Sequence, residues 1–180
     1  MKKVEHGKTF DRNAANPPAF EIFHNTVTEG YPEHWHTAIE IIMPTRGEYE
    51  VVVGKDSYNL KEGDIIMINS GVVHGMRFVS QGERIVMLVE PGCVENQEEM
   101  ETIFLRLPAI YFKKEDEEDP FYLFLRSQIL ELVREYDNEG AVMTHRICTG
   151  LKELFSEFGR KGFSLVEVVS TCNSGWKLSP

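Results

Sequence analysis

Residues 34–40 read HWHTAIE, and this stretch is the most informative part of the sequence about the fold. His34, His36 and Glu40 have the same parity, so an extended backbone sends all three side chains to one face. The apolar residues at 39, 41 and 43 then go to the other face. A buried carboxylate is costly unless it is paired, hydrogen-bonded or bound to a metal. The stretch therefore predicts a strand that lines a polar cavity.

The pattern around this stretch is that of an all-β domain. Short runs rich in Ile, Val, Tyr and Phe alternate with turn residues between positions 20 and 90. We predict strands near 19–24, 38–45, 48–53, 57–60, 65–68, 74–78 and 84–90. The turns between them carry Gly, Asn or Asp, which tolerate the positive φ of tight turns. Many short strands at this spacing indicate a small barrel or a double-sheet jelly roll.

A fourth polar residue stands at the start of a later predicted strand. Residues 63–76 read GDIIMINSGVVHGM, which places His74 just after a turn. Three imidazoles and one carboxylate are a suitable donor set for a divalent ion such as Zn²⁺, Fe²⁺, Mn²⁺ or Ni²⁺. We therefore predict a metal site at His34, His36, Glu40 and His74, with Tyr31 and Trp35 as aromatic walls of an adjoining ligand pocket.

The spacing of these residues resembles the two signatures of the cupin family. The first signature matches Gly30, the two histidines, Glu40 and Gly47, and the second matches Gly63, Gly71 and His74. The chain departs from the second signature in having Asn69 where proline is usual and Phe78 where asparagine is usual. The resemblance implies a double-stranded β-helix barrel in which the four predicted ligands bind metal.

Two helices are predicted after the barrel. Asp119-Pro120 supplies an N-cap and a first-turn proline, and Gly159 stands where a helix would end. The short connection between the helices makes them an antiparallel hairpin at 121–158. Their apolar stripes are formed by Tyr122, Leu125, Ile129, Leu132 and Tyr136, and by Met143, Ile147, Leu151, Leu154 and Phe158. The leftover apolar surface is covered either by the barrel or by a second copy of the chain.

The order of arm, barrel and helical hairpin is similar to the N-terminal sensor domain of AraC-type transcription regulators. The arm is residues 1–19, the barrel 20–92 and the helical segment 93–160, and a tail at 161–180 has no clear pattern. The resemblance implies that the barrel binds a small-molecule effector and that the hairpin forms a homodimer. No catalytic residue is predicted. Two alternatives stay open: a small metal-dependent cupin enzyme, such as a dioxygenase or isomerase, or polar residues that only bind one another and trapped water.

Composition excludes several other functions. The net charge is −10 and the basic residues are scattered, so this chain is not expected to bind nucleic acid directly. No apolar stretch is long enough to cross a membrane, and no signal peptide is evident. The three cysteines are far apart in the sequence, which is typical of reduced thiols in a cytoplasmic protein.

Overall fold

A computed structural model describes residues 20–26, 30–93, 108–114, 118–137, 149, 150, 152, 153 and 156. Within these ranges the chain forms nine strands, one short 3-10 turn at Pro91–Cys93 and one long helix, α1 (Pro120–Asp137). The strands are β1 (Phe20–Asn25), β2 (Tyr31–His34), β3 (Ile39–Arg46), β4 (Tyr49–Val53), β5 (Asp56–Leu60), β6 (Ile65–Ile68), β7 (His74–Phe78), β8 (Glu83–Val89) and β9 (Ala109–Phe112).

The strands form two antiparallel sheets, which confirms the predicted mainly β fold. One sheet has five strands in the order β1-β8-β3-β6-β9, and the other has four in the order β2-β7-β4-β5. All seven predicted strands are present, shifted by no more than one residue at either end. The glycines of four predicted turns have positive φ: Gly47, Gly54, Gly63 and Gly71. Turn chemistry therefore marks the strand boundaries correctly.

Strand β3 is apolar on both faces because both faces of the five-stranded sheet are covered. Ile39, Ile41 and Met43 pack with the residues of α1 in one core cluster. Ile42, which points to the opposite side, packs with Val51 and other residues of the four-stranded sheet in a second cluster. Glu40 has the same parity as Ile42 and therefore points between the two sheets.

Helix α1 begins where the sequence predicts and buries the predicted apolar stripe. Asp119 accepts a hydrogen bond from the Phe121 backbone N–H at 2.9 Å, which satisfies one of the free donors at the start of the helix. The predicted stripe is buried against the outer face of the five-stranded sheet at Tyr122, Leu125, Ile129 and Leu132. The barrel therefore covers this helical stripe, and the partly buried Phe121 and Phe124 pack against the same cluster.

The segment after the barrel differs from the prediction in one respect. Strand β9 lies within the region that the sequence assigned to helices, and it pairs with β6 from Ala109 to Ile68 and from Phe112 to Ile65. Four apolar residues are too few to show the periodicity of either a helix or a strand. The segment is extended because it pairs with the edge of β6.

The second helix of the predicted hairpin falls mostly outside the described residues. Five positions between 149 and 156 are described, and all five are helical. Gly150 lies close to α1, since a Cβ placed on it would be 2.9 Å from the Leu132 Cδ2 atom. The arm at 1–19 and the tail at 161–180 also lie outside the described residues.

No helix in the described part of the chain is long and apolar enough to span a membrane.

Candidate metal and ligand site

Four predicted residues converge at one end of the space between the sheets. His34, His36, Glu40 and His74 each offer one ligand atom, and these atoms all lie within 4.8 Å of one another. His36, Glu40 and His74 are buried, whereas His34 is partly exposed.

The backbone route to this convergence differs from the predicted one. The sequence treated residues 34–40 as one extended strand, and this is wrong, because the strand breaks between His34 and Ile39. His34 ends β2 in the four-stranded sheet, and Glu40 belongs to β3 in the five-stranded sheet. His36 lies in the connection between them, where its carbonyl accepts a hydrogen bond from the Gly71 N–H at 2.9 Å. The chain crosses from one sheet to the other within the motif itself.

Pairing of β2 with β7 brings His34 next to His74. The two residues are direct partners in the antiparallel register, and their ring centroids are 4.5 Å apart. Gly75 permits this close approach, since a Cβ there would lie 3.1 Å from the Glu33 backbone nitrogen. The register of β2 and β7 thus sets the spacing of two of the four predicted ligands.

The Glu40 carboxylate is the centre of the cluster. Its Oε2 atom lies 2.9 Å from His36 Nε2 and 3.0 Å from His74 Nε2. Burial alone would raise the pKa of Glu40, but the contacts with His36 and His74 outweigh burial and lower the pKa to about 2. Burial also opposes a charge on His74, yet the carboxylate of Glu40 raises the pKa of His74 above its ordinary value.

The hydrogen bonds of the three Nδ1 atoms determine which ring nitrogens of the histidines carry hydrogen. Each Nδ1 lies at hydrogen-bonding distance from a backbone carbonyl two residues away, and a carbonyl only accepts, so each Nδ1 must carry hydrogen. The acceptors for His34, His36 and His74 are Pro32, Ala38 and Val72, at 2.9, 2.9 and 2.8 Å. In neutral rings the Nε2 atoms then carry lone pairs, and all of them face the cluster.

This arrangement fits a bound cation. A lone pair on Nε2 and an ionised carboxylate both accept, so their close contact requires a proton or a metal ion between them. Histidines that ligate metals commonly donate the other N–H to a carbonyl, as all three do here. Zinc binds such nitrogens and oxygens at about 2.0–2.2 Å in a tetrahedral arrangement, which puts its ligand atoms about 3.3–3.6 Å apart. The separations in the cluster lie on both sides of this distance: 2.9 and 3.0 Å from Glu40 to His36 and His74, and at most 4.8 Å between any two ligand atoms.

The two predicted aromatic residues lie beside the cluster in the chain and are exposed at their positions. The Tyr31 ring is 5.9 Å from the His34 ring, centroid to centroid, and its side chain is 53% exposed. Trp35 is 55% exposed and lies in the connection after β2. Their predicted role as pocket walls stays a prediction.

Two buried charged residues, Asp64 and Arg84, were missed by the sequence reasoning. Arg84 lies on β8 and is only 2% exposed. Its signal was available in residues 83–89, ERIVMLV, where Arg84 shares parity with Val86 and Leu88 inside a run that otherwise reads as a buried strand.

The family model of the cupin domain matches residues 25–90. No curated protein sequence matches the chain. The match covers β2 to β8 and all four residues of the cluster.

Several solved structures are similar to this chain at low sequence identity. An apo variant of ToxT from Vibrio cholerae aligns over 82% of this chain with a TM-score of 0.54 and 11% identity, and this chain spans 58% of that chain's length. Wild-type ToxT bound to an unsaturated fatty acid aligns over 77% of this chain and 52% of its own, with a TM-score of 0.48 and 10% identity. A mutant of Bacillus subtilis oxalate decarboxylase aligns over 40% of this chain and 21% of its own, with a TM-score of 0.37 and 18% identity.

Proposed function

Residues 25–90 of this chain are a cupin domain, and from that premise we propose that the chain is the ligand-sensing and dimerisation part of an AraC-type transcription regulator. The sequence resemblance to such sensor domains extends through the helical segment. The fold shared with the ToxT variant likewise covers 82% of this chain, so it includes more than the cupin domain.

One observation carries the proposal: a single strand connects the polar cluster to the helix. Glu40 on β3 contacts two histidines of the cluster, while its neighbours Ile39 and Ile41 pack with α1 on the other face. Core side chains are close-packed, so a shift of β3 must be accommodated by the residues packed on both sides. A ligand that moves Glu40 would therefore displace the surface on which α1 rests.

The proposal includes a divalent metal ion at the cluster. His34, His36, His74 and Glu40 would hold it, with Zn²⁺, Fe²⁺, Mn²⁺ and Ni²⁺ all compatible with these donors. The ion would supply a positive charge next to the pocket and an open position for an oxygen atom of an effector. His34 borders the solvent side of the cluster, which leaves access for such a ligand.

A small metal-dependent enzyme is the second candidate, and the same partial exposure of His34 favours it. A substrate could reach the ion from that side, and the ion could polarise a bound oxygen atom. An enzyme of this kind has no need to couple its site to α1, and this difference separates the two candidates by experiment.

We expect the protein to be a homodimer in solution at micromolar concentration. Leu123 and Leu130 on α1 are 48% and 40% exposed and lie about two helical turns apart, on one face. Replacing both with aspartate should produce monomers, because two charges would have to be buried in the proposed interface. Light scattering coupled to gel filtration measures the mass directly.

Val79→Asp is the matched control, because Val79 is an apolar residue of similar exposure, 54%, outside the helix. This variant should remain dimeric. A wild-type protein that is monomeric at these concentrations would contradict the proposed dimer.

A further inference from the structure

Two of the three guanidinium nitrogens of the buried Arg84 have no hydrogen-bond partner within the described part of the chain. Its Nε and Nη1 atoms are inaccessible and have no hydrogen-bond partner. The adjacent carboxylate, Glu83, pairs instead with Arg46 at 3.1 Å, at the surface. Arginine does not lose its charge in proteins, so this site holds a permanent positive charge that no carboxylate among the described residues pairs with.

Arg84 points into the space between the sheets. It shares parity with Val86 and Leu88, and its guanidinium carbon lies 4.9 Å from the centre of the Tyr49 ring on the opposite sheet. Stacking on an aromatic face partly offsets the charge and leaves the edge of the guanidinium free for hydrogen bonds in its plane.

The surroundings of Arg84 along β8 are apolar and separate from the rest of the inter-sheet core. Val86 and Leu88 cluster with Ala38 and the partly buried Phe23. Among the described buried residues, this group does not join the cluster that contains Ile42 and Tyr49. The inner faces of β1 and β8 thus carry an apolar cluster that is separate from the core around Ile42 and Tyr49.

A buried, unpaired charge is strongly unfavourable, and such groups are normally paired or hydrogen-bonded. The planar fork of arginine matches a carboxylate, which can accept two of its hydrogens at once. We propose that Arg84 is the anchor for the effector, and that the effector is an organic carboxylate with an apolar body that lies along Val86 and Leu88. This inference rests on the proposed sensing function and specifies the chemical class of its ligand.

The position of Arg84 relative to the polar cluster defines the length of the site. Leu88 is the register partner of Glu40, and Arg84 lies four residues earlier on the same strand. At 3.3–3.4 Å per residue this separation is about 13 Å. A medium-chain acid bound by its carboxylate at Arg84 would reach the histidine cluster with its other end.

Binding of matched probes tests the charge preference. Decanoate, decanol and decylamine have the same chain and differ in the head group, and calorimetry gives their dissociation constants on the wild-type protein. Decanoate should bind about 10-fold or more tightly than decanol, the range expected for hydrogen bonds to a charged group, and decylamine should bind most weakly. Decanol binding as tightly as decanoate, or no binding of decanoate, would overturn the proposal.

Variants assign the preference to one side chain. Arg84→Met keeps the length and removes the charge, so the preference for decanoate should disappear, whereas Arg84→Lys should keep part of it. Arg46→Met, at a surface arginine that is 62% exposed, is the matched control and should keep all of it. A preference for decanoate that survives in Arg84→Met would also overturn the proposal.

The thermal stability of the ligand-free protein distinguishes a ligand anchor from a structural arginine. The two roles predict changes of opposite sign in the unfolding midpoint of Arg84→Met. Removing an unpaired buried charge should raise the midpoint of thermal unfolding in Arg84→Met. A lower midpoint would show that Arg84 is already paired, and the anchor would be contradicted. A monomeric protein that binds decanoate through Arg84 would contradict the proposed function and leave the anchor intact.

Discussion

His74→Ala is expected to weaken Zn²⁺ binding by about 100-fold or more, the upper end of the loss seen when even an outer-shell partner of a metal site is removed. The wild-type protein should bind one ion per chain. His74 is 3% exposed, and its Nε2 atom lies 3.0 Å from the Glu40 carboxylate. This nitrogen is therefore shielded from water and directed at the cluster. Elemental analysis of untreated protein and competition with a coloured chelator measure occupancy and affinity.

His24→Ala is the control for this experiment. His24 lies on β1, where its Nε2 atom is 3.8 Å from Asp137 of α1, outside the cluster. Its removal should leave Zn²⁺ affinity unchanged. Wild-type protein that binds no divalent ion, together with a His74→Ala variant of higher stability, would contradict the metal site and support a purely hydrogen-bonded polar cluster.

Leu125→Ala is expected to lower the free energy of unfolding by about 3 kcal/mol, within the range of 2–5 kcal/mol for a buried leucine. Leu125 is completely buried where α1 packs on the five-stranded sheet. The substitution leaves a cavity between the helix and the sheet that close-packed neighbours fill only in part. Urea unfolding followed by circular dichroism gives the change.

Leu123→Ala provides the comparison on the same helix, because Leu123 is 48% exposed. In monomeric protein its effect should stay within about 0.5 kcal/mol, as for most surface substitutions. The experiment therefore uses a Leu130→Asp background for both variants, at a protein concentration where light scattering gives the mass of a monomer. Equal losses for the two leucine variants would contradict the packing of α1 on the sheet.

Local signals in the sequence were enough to predict most of the strands and the first helix. Glycines at 47, 54, 63 and 71 marked turns that have positive φ in the structure. The spacing of apolar residues from Tyr122 onwards predicted the buried stripe of α1. These features depend on residues close together in the chain, which is why a single sequence reveals them.

The sequence named the four residues that converge in the cluster, although the assumed backbone was wrong, and their role as metal ligands stays a prediction. Strand parity placed His34, His36 and Glu40 on one face of one strand, whereas the chain changes sheets between His34 and Ile39. Both paths direct the side chains into the same space, because that space lies between the two sheets. Local parity does not reveal a crossing that is fixed by the pairing of β2 with β7.

Features that depend on distant partners were missed. Strands β2 and β9 are four residues long, and each is held by pairing with one strand, β7 or β6. The burial of Arg84 depends on Tyr49 from the opposite sheet. Periodicity within a short segment carries no information about such partners.

Hydrogen exchange in α1, measured with and without Zn²⁺, tests the coupling of the cluster to the helix most directly. The account predicts that Zn²⁺ slows exchange of amides in Pro120–Asp137 as well as in β2, β3 and β7, because β3 contacts the cluster on one face and α1 on the other. The His74→Ala variant should show no such change. Slower exchange confined to the strands of the cluster, with α1 unchanged, would contradict sensing through β3 and favour an enzyme.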